Sequence, residues 1–264
     1  MYLQTSKFGA DVHRSRQNPV ALITGATSGI GAEIARKLHL DGFTVAISGR
    51  SEERGNALAR DLGAGATFFN CDLRAPNAPL ALVKQVTQLL GPLDVLVNNA
   101  AVDHTNDLLA VTDEEIRETF ESNTFAPMNL LIAAARSMSE HGTGGAIINV
   151  TSRLASIGVP TMGIYSASKG AMLAFTKAAA VELARHDIRV NAVAPGMTRT
   201  PLYDEWLAAL PSPEAEAAKV SAAIPLGRIA ETQDVASTVA FLASPAAAYL
   251  TGVSIPVDGG YLAQ

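Results

Sequence analysis

Residues 20–38 read VALITGATSGIGAEIARKL. The apolar run Val20 to Thr24 gives way to glycines at 25, 29 and 31, which lead directly into apolar residues at helical spacing, Ile30, Ile34 and Leu38. Glycine permits a tight turn and lets the backbone approach a ligand closely. The free N–H groups and the dipole at the start of the following helix favour a pyrophosphate. An ordinary βα turn can also be glycine-rich. Strand, glycines and helix in this order are the context that marks a dinucleotide-binding turn.

The same rhythm repeats along the chain. Short apolar runs occur at 44–48 (TVAIS), 66–70 (ATFFN), 93–97 (LDVLV), 146–150 (AIINV), 188–193 (IRVNAV) and 253–257 (VSIPV). They are continuous more than alternating, as expected of strands buried on both faces of a parallel sheet. Helices are expected near 29–41, 52–61, 77–90, 112–139, 163–185 and 231–243. This alternation predicts an α/β fold: a doubly wound parallel sheet of about seven strands with helices on both faces. No linker or repeat divides the chain, so residues 19–264 are expected to form one domain behind an N-terminal extension, residues 1–18. From Pro195 to Gly227 the strand signal is missing and prolines fall at 201, 211 and 213. Short helices separated by proline breaks fit that segment. Following a strand's C-terminal end, a stretch near 197–224 would form a lid over the ligand crevice of an open α/β sheet; an idle excursion is the alternative.

Composition narrows the functional classes. The chain has 264 residues, 48% hydrophobic and 17% charged, enough for a sizeable core and too apolar for disorder. A net charge of −5 with no Lys/Arg stripe gives no reason to expect nucleic acid. No apolar run approaches the roughly 18 to 20 residues of a bilayer span, so no membrane partner is expected. Residues 1–18 lack the apolar core of a signal peptide. Cys71 is the only cysteine; it reads as a buried, inert thiol, consistent with a reducing cytoplasm. His13, His39, His104, His141 and His186 are scattered, so no metal site is expected.

The end of the second strand bears on the dinucleotide. NAD binders usually carry an acid there that bonds the ribose 2′-OH. Here Gly49 stands in that place and Arg50 follows. An Arg can pair with a 2′-phosphate through its planar fork, which favours NADP. If Arg50 only packs over the adenine, NAD remains usable. Further along, IYSASKGAML (164–173) places Tyr165 and Lys169 four residues apart, on one face of a helix. An ammonium beside a phenol favours the phenolate, so the pair is a candidate proton donor and acceptor.

Taken together, these motifs resemble the short-chain dehydrogenase/reductase family over about residues 19–262. TGATSGIG is similar to its cofactor turn, and NNAA (98–101) to its Asn-Asn-Ala-Gly motif, with Ala101 in place of the glycine. YSASK matches its Tyr-x-x-x-Lys motif. VNAVAPGMTRT resembles the segment leading to the nicotinamide, and TGVSIPVDGGY the family ending. The resemblance implies a Rossmann-like domain of the 3-oxoacyl-carrier-protein reductase type. It implies catalytic roles for Asn123, Ser152, Tyr165 and Lys169, with Asn123 supporting a water-mediated proton path. It places cofactor contacts at Gly25, Thr27, Ser28, Gly29, Ile30 and Gly31, at Arg50, and at Asp72 and Leu73. Further contacts follow at Asn98 and Ala100, at Tyr165 and Lys169, and at Pro195, Gly196, Thr198 and Thr200.

The chemistry expected is hydride transfer between NADP(H), or NAD(H), and a carbonyl/secondary alcohol pair. Ser152 would hold the carbonyl oxygen, Tyr165 deliver the proton, and Lys169 lower the Tyr165 pKa and bond the nicotinamide ribose. Candidate substrate contacts are Arg153, His104, Met162, Tyr203 and Trp206. Arg153 hints at an anionic substrate group, and a surface arginine paired with an acid explains it equally well. An NAD-dependent sugar or polyol dehydrogenase and a non-catalytic dinucleotide sensor are the competing readings. Family members commonly assemble as dimers or tetramers, and a homotetramer built through the helices at 112–139 and 163–185 is expected.

Overall fold

A computed structural model of the protein describes residues 18–142 and 144–264. All but the last residue of the expected N-terminal extension therefore lies outside the described residues. Seven strands form one parallel sheet in the order β3-β2-β1-β4-β5-β6-β7. They are β1 Val20–Thr24, β2 Thr44–Gly49, β3 Ala66–Asn70, β4 Leu93–Asn98, β5 Gly145–Val150, β6 Ile188–Pro195 and β7 Ser254–Val257. Each apolar run read from the sequence became a strand, with ends moved by two residues or fewer.

Two layers of helices cover the sheet, and the twofold period of the strands assigns each residue to one of them. Ala21 and Ile23 of β1 face the core shared with α1 (Gly29–Leu40), α2 (Glu52–Leu62) and α9 (Thr232–Ala243), through Ile34, Leu38, Leu58, Val235 and Val239. Val20 and Leu22 face the opposite core, where α3 (Ala78–Leu90), α5 (Ala126–His141) and α6 (Gly163–Leu183) contribute Leu82, Val86, Leu130, Met138 and Ala180. Both faces of β1 are thus dry, which is why its sequence is apolar without interruption.

The helix expected at 112–139 is divided. Helix α4 (Asp113–Phe120) starts on a reciprocal cap between Thr112 and Glu115, and a π-turn, Glu121–Phe125, separates it from α5. The extra residue in the turn rotates Asn123 and Thr124 into the interior, where both are buried. The segment after β6 folds as two short helices, α7 (Pro201–Ala208) and α8 (Pro213–Ala222), each opening on a proline. They close over a small core of Tyr203, Ile224 and Ile229 beside the C-terminal edge of the sheet. Among the described residues no helix is long and apolar enough to cross a membrane.

Candidate active site

The strand order reverses direction between β1 and β4, and the crevice at that switch point is where open α/β sheets bind ligands. A cavity of about 360 Å³ lies there. Its wall includes the glycine turn with Thr27, Ser28 and Ile30, then Arg50, Asp72, Leu73 and Ala100, and at the far side Thr200. The turn is held open from behind. Asn99 donates its side-chain N–H groups to the carbonyls of Thr24 (3.0 Å) and Gly25 (3.2 Å), while Thr24 Oγ1 accepts the backbone N–H of Asn99. A Cβ on Gly31 would lie 2.4 Å from the Gly25 carbonyl oxygen, so only glycine lets α1 begin this close to β1. The cradle therefore fits a diphosphate: backbone N–H groups at a helix start, and no side chain in the way.

Beyond the end of β2 the cavity wall carries Arg50, Ser51 and Arg54. Gly49 has a steric origin, since its Cβ would meet Thr27 Cγ2 at 2.6 Å. Asp72 follows β3 on the cavity wall, where Arg74 grips both its oxygens (Nε 3.0 Å, Nη2 2.8 Å) and also donates its backbone N–H. The Arg74 hydrogen bond holds the Asp72 carboxyl down at about 2. Arg74 then reaches Glu118 at 2.7 Å, and Glu118 pairs with His104 at 3.2 Å. His104 thus lies against α4, its Nε2 making no hydrogen bond among the described residues.

Asn98 is placed differently from the resemblance. Successive strand residues point to opposite faces, so Asn99 takes the turn while Asn98 faces inward, away from the cavity. Its amide donates to Asn149 Oδ1 (2.9 Å) and to the Pro127 carbonyl (3.2 Å), and Asn149 in turn donates to Thr176 Oγ1 (2.8 Å). Asn98 locks β4 to β5 and α6; Asn99 is the functional neighbour that the sequence reading passed over.

Ser152, Tyr165 and Lys169 do converge. Ser152 ends the stretch after β5 and caps a short 3-10 turn, Arg153–Ala155, accepting the Leu154 N–H at 3.1 Å. Tyr165 stands in the first turn of α6 and Lys169 one turn later. The Lys169 ammonium donates to the Val150 carbonyl at 3.0 Å and lies 5.6 Å from the centre of the Tyr165 ring. Burial pushes the Tyr165 phenol up to about 12, the Asp103 carboxylate adds to that, and a hydrogen bond with Ser152 opposes it. Loss of solvent is the largest of these effects, so the phenol stands above its ordinary value. The phenol is accordingly protonated at neutral pH, the state a proton donor needs. Burial also lowers Lys169 to about 8, with Asp103 acting the other way.

A pH dependence follows from Lys169. Its folded-state value of about 8 is below the ordinary 10.5, so between those values the unfolded chain binds more protons and stability rises with pH. Wild type should therefore gain denaturation midpoint relative to Lys169→Met as pH rises from about 8 to about 10. A difference that stays constant with pH would show the ammonium to be well solvated.

Asn123 is buried, and its amide is spent on the chain. Its oxygen accepts the Val102 N–H (2.8 Å), and its N–H groups donate to the Val102 carbonyl (2.7 Å) and Ser168 Oγ (3.2 Å). No side-chain N–H is left for a water, so what the side chain does is pin the loop after β4 to α6 between Tyr165 and Lys169. Thr198 is buried and donates to the Gly196 carbonyl at 3.0 Å. Pro195 ends β6, and the Gly196 N–H bonds the Val257 carbonyl.

The remaining substrate candidates separate. Met162 precedes α6 and its sulfur accepts from Thr105 at 3.4 Å. Tyr203 is buried in the small core beside α7 and α8, with the Trp206 ring 5.6 Å away and Trp206 itself 40% exposed. Arg153 stacks on Tyr261, 3.9 Å from the ring centre. Among the described residues no group of three or more His, Cys, Asp or Glu could hold a metal ion.

A family model described as enoyl-(acyl carrier protein) reductase matches residues 25–262. A 3-oxoacyl-[acyl-carrier-protein] reductase of Staphylococcus aureus is 37% identical over 244 residues, covering 91% of this chain and 96% of that protein. The L-xylulose reductase of Bos taurus is 38% identical over 243 residues, covering 92% and 96%. The structure superposes with a TM-score of 0.87 on an actinorhodin polyketide ketoreductase solved with NADPH, 37% identical, over 92% of this chain and 97% of that one. The chain belongs to the short-chain dehydrogenase/reductase family of NAD(P)-dependent oxidoreductases.

Proposed function

We propose that the protein is an NADP(H)-dependent reductase acting on a carbonyl/secondary alcohol pair, in the manner of a 3-oxoacyl reductase. The observation that carries this reading is the convergence of Ser152, Tyr165 and Lys169 beyond β5 and along one face of α6, with α6 pinned by Asn123. A non-catalytic sensor has no use for a buried, protonated phenol beside a serine hydroxyl.

When bound, the dinucleotide supplies the hydride. The glycine turn seats its diphosphate, and Arg50 with Arg54 supplies cationic groups at the 2′ end of the cavity. Ser152 holds the carbonyl oxygen by a hydrogen bond aimed at the charge that develops there. Tyr165 passes its proton to that oxygen, and the Lys169 ammonium stabilises the phenolate left behind. Thr198 and the Pro195–Gly196 segment shape the nicotinamide end. Leu202 and Trp206, both exposed on α7, offer apolar surface to a substrate chain under the lid.

The preference for NADP over NAD rests on Arg50, on the absence of an acid at 49, and on the NADPH-bound neighbour. Arg50→Ala should cut the ratio of NADPH to NADH affinities about tenfold to a hundredfold, the worth of a charge-assisted pair. Fluorescence titration of both cofactors checks it, and an unchanged ratio removes Arg50 from the phosphate. The function itself is tested by a panel of ketones, oxoesters and sugars followed through nicotinamide absorbance with both cofactors. Cofactor binding without turnover on any of them supports the sensor instead.

The assembly proposed is a homotetramer in the cytoplasm. A groove between α5 and α6, lined by Leu131, Ile132, Phe175 and Ala178, together with exposed Phe125 and Val181, gives a second copy an apolar face. Light scattering should return four times the chain mass; a monomeric mass overturns the assembly.

A further inference from the structure

We propose that the C-terminal turn is a strut between the base of the lid and the catalytic strand end, with Arg153 as the positioning residue through which Tyr261 acts on Ser152. The inference rests on the reading of Ser152 as the catalytic hydroxyl.

Arg153 follows Ser152 directly and opens the 3-10 turn that fixes it. The Ser152 hydroxyl accepts the Leu154 N–H at 3.1 Å, and its carbonyl accepts the Ala155 N–H at 3.0 Å. Whatever holds the Arg153 side chain therefore holds the backbone that aims the hydroxyl. Among the described residues no carboxylate lies within ion-pair distance of it. Its guanidinium is instead half-buried against Tyr261, Cζ 3.9 Å from the ring centre.

Tyr261 in turn packs on the lid core of Tyr203, Ile224 and Ile229. Its turn is built to be stiff. Asp258, itself buried, accepts the N–H of Gly260 with one oxygen and of Leu262 with the other, both at 3.0 Å. The turn is also tied to the returning lid: Leu226 N–H donates to the Gly259 carbonyl at 3.1 Å, and the Gln264 side chain to the Ala223 carbonyl at 3.1 Å. One aromatic ring thus touches the lid core and the arginine beside the serine. Lid position and hydroxyl position are linked through contiguous packed groups, each of them a measurable contact.

Hydrogen exchange on the full-length protein tests this without a substrate. Arg153→Met should raise exchange about tenfold at the lid base, residues 220–230, although Arg153 is not part of the lid. Tyr261→Ala should raise it there and at 152–156. Tyr261→Phe keeps the ring and should behave as wild type, and the double variant should add nothing to the larger single effect. The β1–α1 unit should exchange normally throughout. With ethyl acetoacetate as the ketone probe, Arg153→Met and Tyr261→Ala should lower kcat about tenfold with KM within about twofold. Exchange changes confined to 152–156 in Arg153→Met overturn the strut. So does a raised KM at unchanged kcat in Arg153→Met with Tyr261→Ala silent, which would make Arg153 a substrate contact. Failure of wild type to reduce any ketone defeats the proposed function, while the exchange result still decides the strut. If Tyr261→Ala does not fold, Arg153→Met and Tyr261→Phe carry the test.

Discussion

Tyr165→Phe should fold, bind the dinucleotide with wild-type affinity and lose turnover by about a hundredfold to ten-thousandfold, the range that a positioned general acid contributes. The substitution keeps the ring that packs beneath Lys169 and removes only the hydroxyl, so stability should change little. The magnitude follows from where the phenol sits. Its hydroxyl is shielded from solvent, protonated and hydrogen-bonded to Ser152. Stopped-flow or steady-state absorbance at the nicotinamide band measures the loss, and a separate cofactor titration shows that binding is intact. Activity within about tenfold of wild type, roughly 1.4 kcal/mol of barrier, would place the proton donor elsewhere.

The second large effect is expected at Gly31→Ala. A methyl there would stand 2.4 Å from the Gly25 carbonyl oxygen and 2.5 Å from Asn99 Nδ2. The first of these is backbone and cannot rotate aside, so the turn must open and the Asn99 bonds to Thr24 and Gly25 must lengthen. Overpacking of this kind costs about 1–3 kcal/mol of stability. The loss of cofactor affinity should be larger, at least about a hundredfold, because several N–H groups lose their aim together. Fluorescence titration with NADPH and denaturant unfolding separate the two quantities. Affinity retained within about threefold would show that the diphosphate is seated elsewhere.

The fold was readable because its strands are buried on both faces. A run such as VALIT has no wet side, so its apolar residues are continuous, and the glycines and caps that follow mark the turns. The division of the helix at 112–139 was not readable. Helical periodicity counts turns of constant size, and the π-turn at Glu121–Phe125 adds a residue that shifts every later position. The one clue was polar: Thr119, Asn123 and Thr124 all fall on what became a buried face. In the site, YSASK and the preceding serine named groups that the structure brings together, since helix spacing fixes one pair and the strand end supplies the third.

Other parts of the site depended on which way a side chain turns. Asn98 and Asn99 are equivalent as letters, and only the pleat of β4 sends one to the core and the other to the glycine turn. Arg74 is visible only once the chain after β3 has folded back on Asp72 and reached Glu118. Tyr203 reads as a lid residue facing substrate, yet two short helices need a core of their own, and Tyr203 supplies it. Arg153 was open between a substrate contact and a surface pair; among the described residues it makes no ion pair and lies outside the cavity at the glycine turn, and its guanidinium stacks on the ring of Tyr261 beside Asp258.

The absent side chain at Gly49 has a consequence for coenzyme engineering. A Cβ at that position would stand 2.6 Å from the methyl of Thr27, contributed by a different loop. Space at 49 is therefore shared between two residues. An acid introduced at 49 must first turn the Thr27 methyl aside, whereas trimming position 27 opens that space, a route by which a lineage, or a designer, could move this scaffold from a biosynthetic redox pool to a catabolic one.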